Sequence, residues 1–583
     1  MEYNIKHKEA QGRPAVQYAE MRDIMKFSQM PYTRPDLEST KTEFLRLIEA
    51  FKQARDKETA VSAYLSADKL IDHIDSMRAL AYIRHTIDTN DTYYESEQSY
   101  FDEITPLLQE LVQSLERALL DSPHRGDLEE KFGKLMFTNI EINLKTFDSA
   151  IIPELQQENK LVTEYNKLIA SAQIPFDNKT LTLAQMTPYL EDTDRSIRKA
   201  ACDARSAWFL ERADKLDSMF DELVRLRTET AKKLGYESFT ELGYYRMTRN
   251  CYDKEMVGRF REGVRKYIVP IAARLKASQA RRIDVPSLKM YDDSLIFPEG
   301  NAKPFGTPEE IFEHGRTMYH ELSPETGEFM EFMLENELFD VLTRPGKSGG
   351  GYCYTIPDHK AAFIFANFNG TSGDIDVLTH EAGHAFCSHM IRDRTPSPLR
   401  DYTYETAEVH SMSMEFFTWP WMGGFFKDAD KYRYHHLIGC LTFIPYGTMV
   451  DDFQHSVYEN PDMTPAERNK LWKDLEGVYR PWLDLEDTSF FEEGRRWQYQ
   501  MHIYERPFYY IDYCLAQTVA LAFWAESLKE RTAAWEKYLK FIDFSGKLAF
   551  TGLIDACGLP VPFDPKMLES VAGAADKWLA HYK

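Results

Sequence analysis

The sequence predicts a mainly α-helical fold in two or more lobes, with one small β element leading straight into a histidine-bearing helix. Three observations carry this. At 583 residues the chain exceeds what a single hydrophobic core usually organises. Apolar residues recur at the i, i+3, i+4, i+7 spacing of amphipathic helices. One glycine-rich break, Pro345-Gly346-Lys347-Ser348-Gly349-Gly350-Gly351, is followed by two short strand-like runs.

In chain order, Phe44, Leu47, Ile48 and Phe51 share one helix face. Ile104, Leu107, Leu108, Leu111 and Leu115 repeat the pattern, and Pro106 is expected to start or kink that helix. Asp194 is placed to cap a helix running through Ile197, Ala201, Trp208 and Leu210. The next helix, through Leu223, Leu226 and Ala231, ends at Leu234-Gly235-Tyr236, where glycine accepts a left-handed conformation. Residues 177–187 and 298–308, polar and turn-rich, are the candidate boundaries. Tyr352 to Ile356 and Ala361 to Phe368 read as a hairpin around Pro357-Asp358-His359-Lys360. Asn369 to Asp374 is then a turn that opens the helix carrying His380.

Bulk properties exclude several functions. Acidic residues outnumber basic ones 93 to 70, for a formal net charge of -23. Such a surface repels nucleic-acid phosphates and anionic lipid, so neither is an expected partner. Met1-Glu2-Tyr3-Asn4-Ile5-Lys6-His7-Lys8 leads into no apolar stretch, so no secretory signal is expected. The richest apolar stretch, 437–450, is too short for a bilayer and is interrupted by Thr442, Pro445 and Gly447. Seven scattered cysteines without a CxxC pair argue against a disulfide framework or a thiolate zinc site. The expected location is cytoplasmic.

Chemistry concentrates in His380-Glu381-Ala382-Gly383-His384. Residues four apart on a helix differ by about 40° around its axis and one turn along it, so both imidazoles reach one ion. Zinc takes neutral imidazole, and a catalytic site keeps one position open for water. Glu381 stands where its carboxylate can take a proton from that water. The pattern fixes only three positions, so an ordinary helix in a scaffold protein can carry it by chance; a zinc hydrolase of non-peptide substrates is the other alternative.

A third ligand would decide more. Glu405-Thr406-Ala407-Glu408-Val409-His410-Ser411-Met412-Ser413-Met414-Glu415 sets three carboxylates on a largely apolar helix. Burying an unpaired carboxylate is costly, so at least one should meet a cation or donor. Glu405 and Glu415 read as solvated or salt-bridged. His410 reads as a satisfied helix histidine, His389 as lying on the far side of its helix, and Cys387 as a small buried hydrophobe.

His380 to Phe386 followed by Ala407 to Glu415 closely resembles the M3 family of zinc peptidases, most of all its bacterial oligoendopeptidase F branch. Arg195-Ser196-Ile197-Arg198-Lys199-Ala200, Lys233-Leu234-Gly235-Tyr236, Gly349-Gly350-Gly351-Tyr352 and the tyrosine-rich stretch after His502 are similar too. The resemblance covers about residues 190 to 580. It implies a zincin-type helical fold with a deep channel between two lobes, divided here as an N-terminal helical region 1–185 and a catalytic region 186–583. It further implies one zinc ion per chain on His380, His384 and Glu408, although cobalt or manganese suits such a donor set as well.

The same resemblance gives Glu381 the role of general base. His502 and Tyr513 are assigned to the substrate carbonyl, with Tyr510 and Tyr509 as alternatives to Tyr513. Oligopeptides are the expected substrates, and a homo-oligomer is left open. An edge strand can hold an extended peptide by backbone pairing. Ala362 to Asn367 is the candidate strand, with Ala366 and Asn367 as contacts and Gly350, Gly351 and Tyr352 beside them.

Overall fold

The computed structural model describes residues 25–344 and 346–582. The expectations placed on residues 1–8 and on Pro345 lie outside these. Helices begin where the sequence supplies an acceptor for their first free N–H groups. Asp36 caps α1 (Leu37–Lys52), Asp56 caps α2 (Lys57–Ile87) and Asp91 caps α3 (Thr92–Leu120). With α4 (Arg125–Phe132) and α5 (Lys134–Asn143) they enclose an apolar cluster of their own, which includes Phe44, Leu47, Leu115 and Phe137.

Of the two alternatives for residue 106 in α3, the helix start is excluded. The helix starts at Thr92, so residue 106 lies inside it rather than at its beginning. It docks through Phe101, Ile104, Leu111 and Leu115, while Leu107 falls off that stripe and is exposed. Further on, α6 (Arg195–Leu210) is capped by Asp194, which accepts from the Ser196 N–H. At the end of α7 (Ala213–Lys233), Gly235 takes φ +87°. The Tyr236 and Gly235 N–H groups then return to the carbonyls of Ala231 and Lys232, at 2.9 and 3.0 Å. Residues 177 and 178 both adopt positive φ and form a tight hairpin turn instead of an open linker.

The β element is a three-stranded sheet. Strands β2 (Tyr352–Ile356) and β3 (Ala361–Phe368) form the expected antiparallel hairpin, turned through Lys360 in the left-handed region. A short strand, β1 (Phe339–Leu342), pairs parallel to β3 on its other side, so β3 is central. This overturns the reading of 362–367 as an edge. β3 pairs with β2 at 361–365 and with β1 at 364, 365 and 368, Ala366 is only 1% exposed, and the edges of the sheet are β1 and β2. Four residues are too few for a periodic signal, which is why β1 escaped the sequence.

From β3 the chain turns into α8 (Gly373–Ile391), and α9 (Tyr404–Phe417) packs against it. Two longer helices complete the surroundings: α10 (Ala429–Glu459) and, beyond the short α11 (Met501–Glu505), α12 (Tyr510–Ser527). Residues 437–450 lie within α10, and no described helix is long and apolar enough to cross a membrane.

Candidate active site

The site starts from a missing side chain. A Cβ on Gly383 of α8 would lie 2.6 Å from Ser411 Cα and 2.7 Å from the His410 carbonyl oxygen of α9. The two helix backbones touch at this point because residue 383 is glycine. Their contact sets Glu408 against His380 and His384, with one ligand atom from each residue within 4.8 Å of the others. His380 Nε2 is 3.3 Å and His384 Nε2 3.6 Å from Glu408 Oε2.

Electrostatics suit a cation. Burial opposes the charge on Glu408, yet the hydrogen bond with His380 and the charges of both histidines hold its carboxyl down at about 2. Burial pushes His384 down to about 4, which leaves it a neutral donor. Tyr509 donates to Glu408 Oε1 at 2.9 Å and Ser411 donates to Oε2 at 3.2 Å. Two imidazole nitrogens and one carboxylate oxygen around a common point fit a divalent transition metal.

A second carboxylate takes the salt-bridged of the two alternatives read from the sequence. Glu415 is 9% exposed and accepts from His380 Nδ1 at 2.6 Å and from His436 Nε2 at 2.7 Å. The Trp419 indole N–H donates to His436 Nδ1 at 3.3 Å. Indole nitrogen only donates, so His436 accepts at Nδ1 and donates from Nε2 to Glu415, whose other oxygen takes the His380 Nδ1–H. Glu415 is therefore paired and dry, not solvated. The available sequence signal was its position seven residues, two helical turns, after Glu408. The reading of Glu405 is corrected, for it is neither solvated nor salt-bridged: it is 1% exposed, Thr403 donates to one oxygen, and its other oxygen has no hydrogen-bond partner. Burial, with the Asp512 charge beside it, raises its pKa.

His410 is buried and bonds Ser545 through Nε2 at 2.9 Å, while His389 packs on Phe332 away from the cluster. Glu381 is buried beside the histidines, and burial pushes its carboxyl up to about 7, where a group readily takes and returns a proton. Gly351 borders it: a Cβ there would stand 3.9 Å from Glu381 Oε1. Gly350, at φ +87°, precedes it in the loop. Asn367 does not face the cleft as a free amide; it donates to the Ser348 and Gly350 carbonyls at 2.9 Å each and so holds that loop. The Tyr352 ring stacks on Phe365 and its hydroxyl meets Thr86.

On the opposite wall, the His502 ring lies 5.0 to 5.8 Å from those of Tyr509, Tyr510 and Tyr513. Gln500 Nε2 donates to His502 Nδ1 at 2.9 Å, leaving the N–H on Nε2. Burial pushes His502 down to about 4, so it is neutral. Of the tyrosines, Tyr509 is bound to Glu408 and Tyr513 feels the charges of Glu408 and Glu381, both raising its pKa after burial. Tyr510 packs against Phe443 and Tyr446 instead. A cavity of about 380 Å³ opens here between Glu415, Met412, Gly439, Phe443, Tyr510 and Tyr513.

Comparison with known proteins gives the family. The profile described as Peptidase family M3 matches residues 188–544, and that of the Peptidase M3 N-terminal domain matches 27–147. This chain belongs to peptidase family M3. It is accordingly a metalloendopeptidase. A solved putative oligoendopeptidase F from Bacillus anthracis superposes on the M3 fold seen here with a TM-score of 0.88 at 43% identity, covering 95% of this chain and 98% of its own. A solved PZ peptidase A, with an inhibitor, gives 0.92 at 48%, covering 95% and 99%. Oligopeptidase PepF of Bacillus subtilis is 22% identical over 82% of this chain and 73% of its own length.

Proposed function

We propose that this chain hydrolyses peptide bonds within short oligopeptides, using one zinc ion held by His380, His384 and Glu408. The observation that carries the reading is the convergence of those three ligand atoms within 4.8 Å beside the buried carboxyl of Glu381. Zinc bound there supplies Lewis acidity to the attacking water and the scissile carbonyl. Glu381 takes the proton of that water and returns it to the leaving amine. His502, through its Nε2–H, and Tyr513 donate to the oxygen that gains charge as the carbonyl carbon becomes tetrahedral. Tyr509 orients Glu408. The extended substrate lies along the free edge of β2, where residues 350–352 offer backbone groups with little side-chain selection.

Oligopeptides are favoured as substrates because relatives over most of this chain are named as oligopeptidases and oligoendopeptidases. The seven cysteines are all free thiols, which suits a reducing cytoplasm. The test combines metal analysis with a quenched peptide library of mixed lengths. The expected result is about one zinc per chain, cleavage of short peptides, and a Glu381→Gln variant that keeps the metal while kcat drops by about 10³-fold. Full peptidase activity in that variant rejects Glu381 as the base.

A further inference from the structure

Beyond the cavity at the metal cluster lies a second one, of about 170 Å³, and Gly439 and Phe443 of α10 line both. The two cavities share a wall but differ in chemistry. The second is lined by Lys276, Arg480 and Arg496 with Asp293, Tyr446 and Trp482. Asp293 is already committed: Lys276 Nζ and Arg480 Nη2 each approach it at 2.7 Å. Glu476, the other nearby acid, lies 3.3 Å from Arg480 and 3.6 Å from Arg496. Three cations against two carboxylates leave one positive charge, at the cleft of a chain whose net charge is -23.

Two donors on this wall make no hydrogen bond. Trp482 Nε1 is buried without a partner, and Arg496 Nη1, buried too, meets only Glu476 Oε1 at 3.6 Å, beyond hydrogen-bond reach. An indole N–H and a guanidinium N–H can only donate, and leaving them unsatisfied is costly. A group that completes these donors is an acceptor, and the surplus positive charge favours an anionic one, although Asp293 Oδ1 on the same wall also makes no hydrogen bond.

We propose that this cavity is a subsite for a carboxylate of the peptide substrate, bound by Arg496 and Trp482 with Lys276 and Arg480 behind them. The inference rests on the peptidase reading above. Ring-to-ring steps from His502 to Tyr510, Tyr446 and Arg496 place the guanidinium within about 16 Å of the His502 ring. At about 3.3 Å per extended residue, that is within about five residues of the scissile bond. Two peptide groups present this chemistry at that distance, the C-terminal carboxylate and an acidic side chain.

Matched quenched peptides separate them. One pair differs as free C-terminal acid against amide, and the other as Glu against Gln within five residues of the cleaved bond. The zinc-loaded full chain is expected to prefer the carboxylate member of one pair by about tenfold in kcat/KM, mostly through KM. Arg496→Gln should bring that preference close to parity. Trp482→Phe, which keeps an aromatic ring and removes the donor, should reduce it independently of any folding defect in the first variant. The responding pair identifies the carboxylate. Equal turnover within both pairs by the unaltered enzyme, or a preference that survives both substitutions, overturns the subsite alone. Failure to cleave any of the four peptides overturns the peptidase reading, and this role with it.

Discussion

Gly383→Ala tests the contact on which the whole cluster rests. The new Cβ would sit 2.6 Å from Ser411 Cα and 2.7 Å from the His410 oxygen, where ordinary contacts run from 3.4 to 4 Å. Both atoms are backbone, so no rotamer change relieves the clash. Helices α8 and α9 must part by about 1 Å to restore a normal carbon–carbon separation. Metal sites tolerate ligand displacements of about 0.2 Å, so Glu408 leaves its position relative to the histidines. Zinc affinity should fall about a hundredfold, and the protein should lose about 1–3 kcal/mol to overpacking.

Competition against a chromophoric chelator measures the first quantity. Thermal unfolding in excess chelator measures the second, without the stabilisation that bound metal adds. Gly477→Ala is the control: it lies in the helix Pro465–Tyr479, is exposed, and its Cβ would meet nothing within 4 Å. That substitution should stabilise by about 0.5–1 kcal/mol through helix propensity. If Gly383→Ala behaves like the control and binds zinc as tightly as the parent chain, the helix contact is not what positions Glu408.

Three further outcomes are expected. Glu415→Gln presents one acceptor and one donor to two N–H groups, so zinc affinity should drop by about tenfold to a hundredfold while the fold persists; unchanged affinity removes Glu415 from the orientation of His380. Tyr509→Phe should weaken zinc binding several-fold, about one hydrogen bond's worth, whereas Tyr513→Phe should lower kcat by about 10²-fold at unchanged zinc affinity. The reverse pattern exchanges their roles. Burial pushes Glu116 of α3 from 4.5 up to about 7, against the opposing hydrogen bonds from Asn143 and the nearby charge of Arg117. The folded state then holds the extra proton between those values, so stability falls as pH rises through that window. Glu116→Gln should stabilise the fold relative to the parent chain at pH 8 by on the order of 1 kcal/mol, read as a higher Tm, and give no gain near pH 4; a pH-independent difference refutes the assignment.

Local features were legible in the sequence. Asp194, Gly235 and the 352–368 hairpin sit where their caps and turns require. His380 and His384 face one point because a helix makes neighbours of residues four apart in any context. Seven-residue spacing likewise set Glu408 and Glu415 on one face of α9, although composition alone did not reveal that both are dry.

Nothing local announced the remaining partners. His436 and Trp419 reach Glu415, Tyr509 reaches Glu408 from about a hundred residues away, and β1 closes the side of β3 that had looked free. Arg496 and Trp482 converge with Lys276 on one cavity from more than two hundred residues away in the chain. Spacing along a chain encodes which residues share a turn or a face. Which faces then meet depends on how closely backbones can approach, and at Gly383 that is decided by the absence of a single carbon atom.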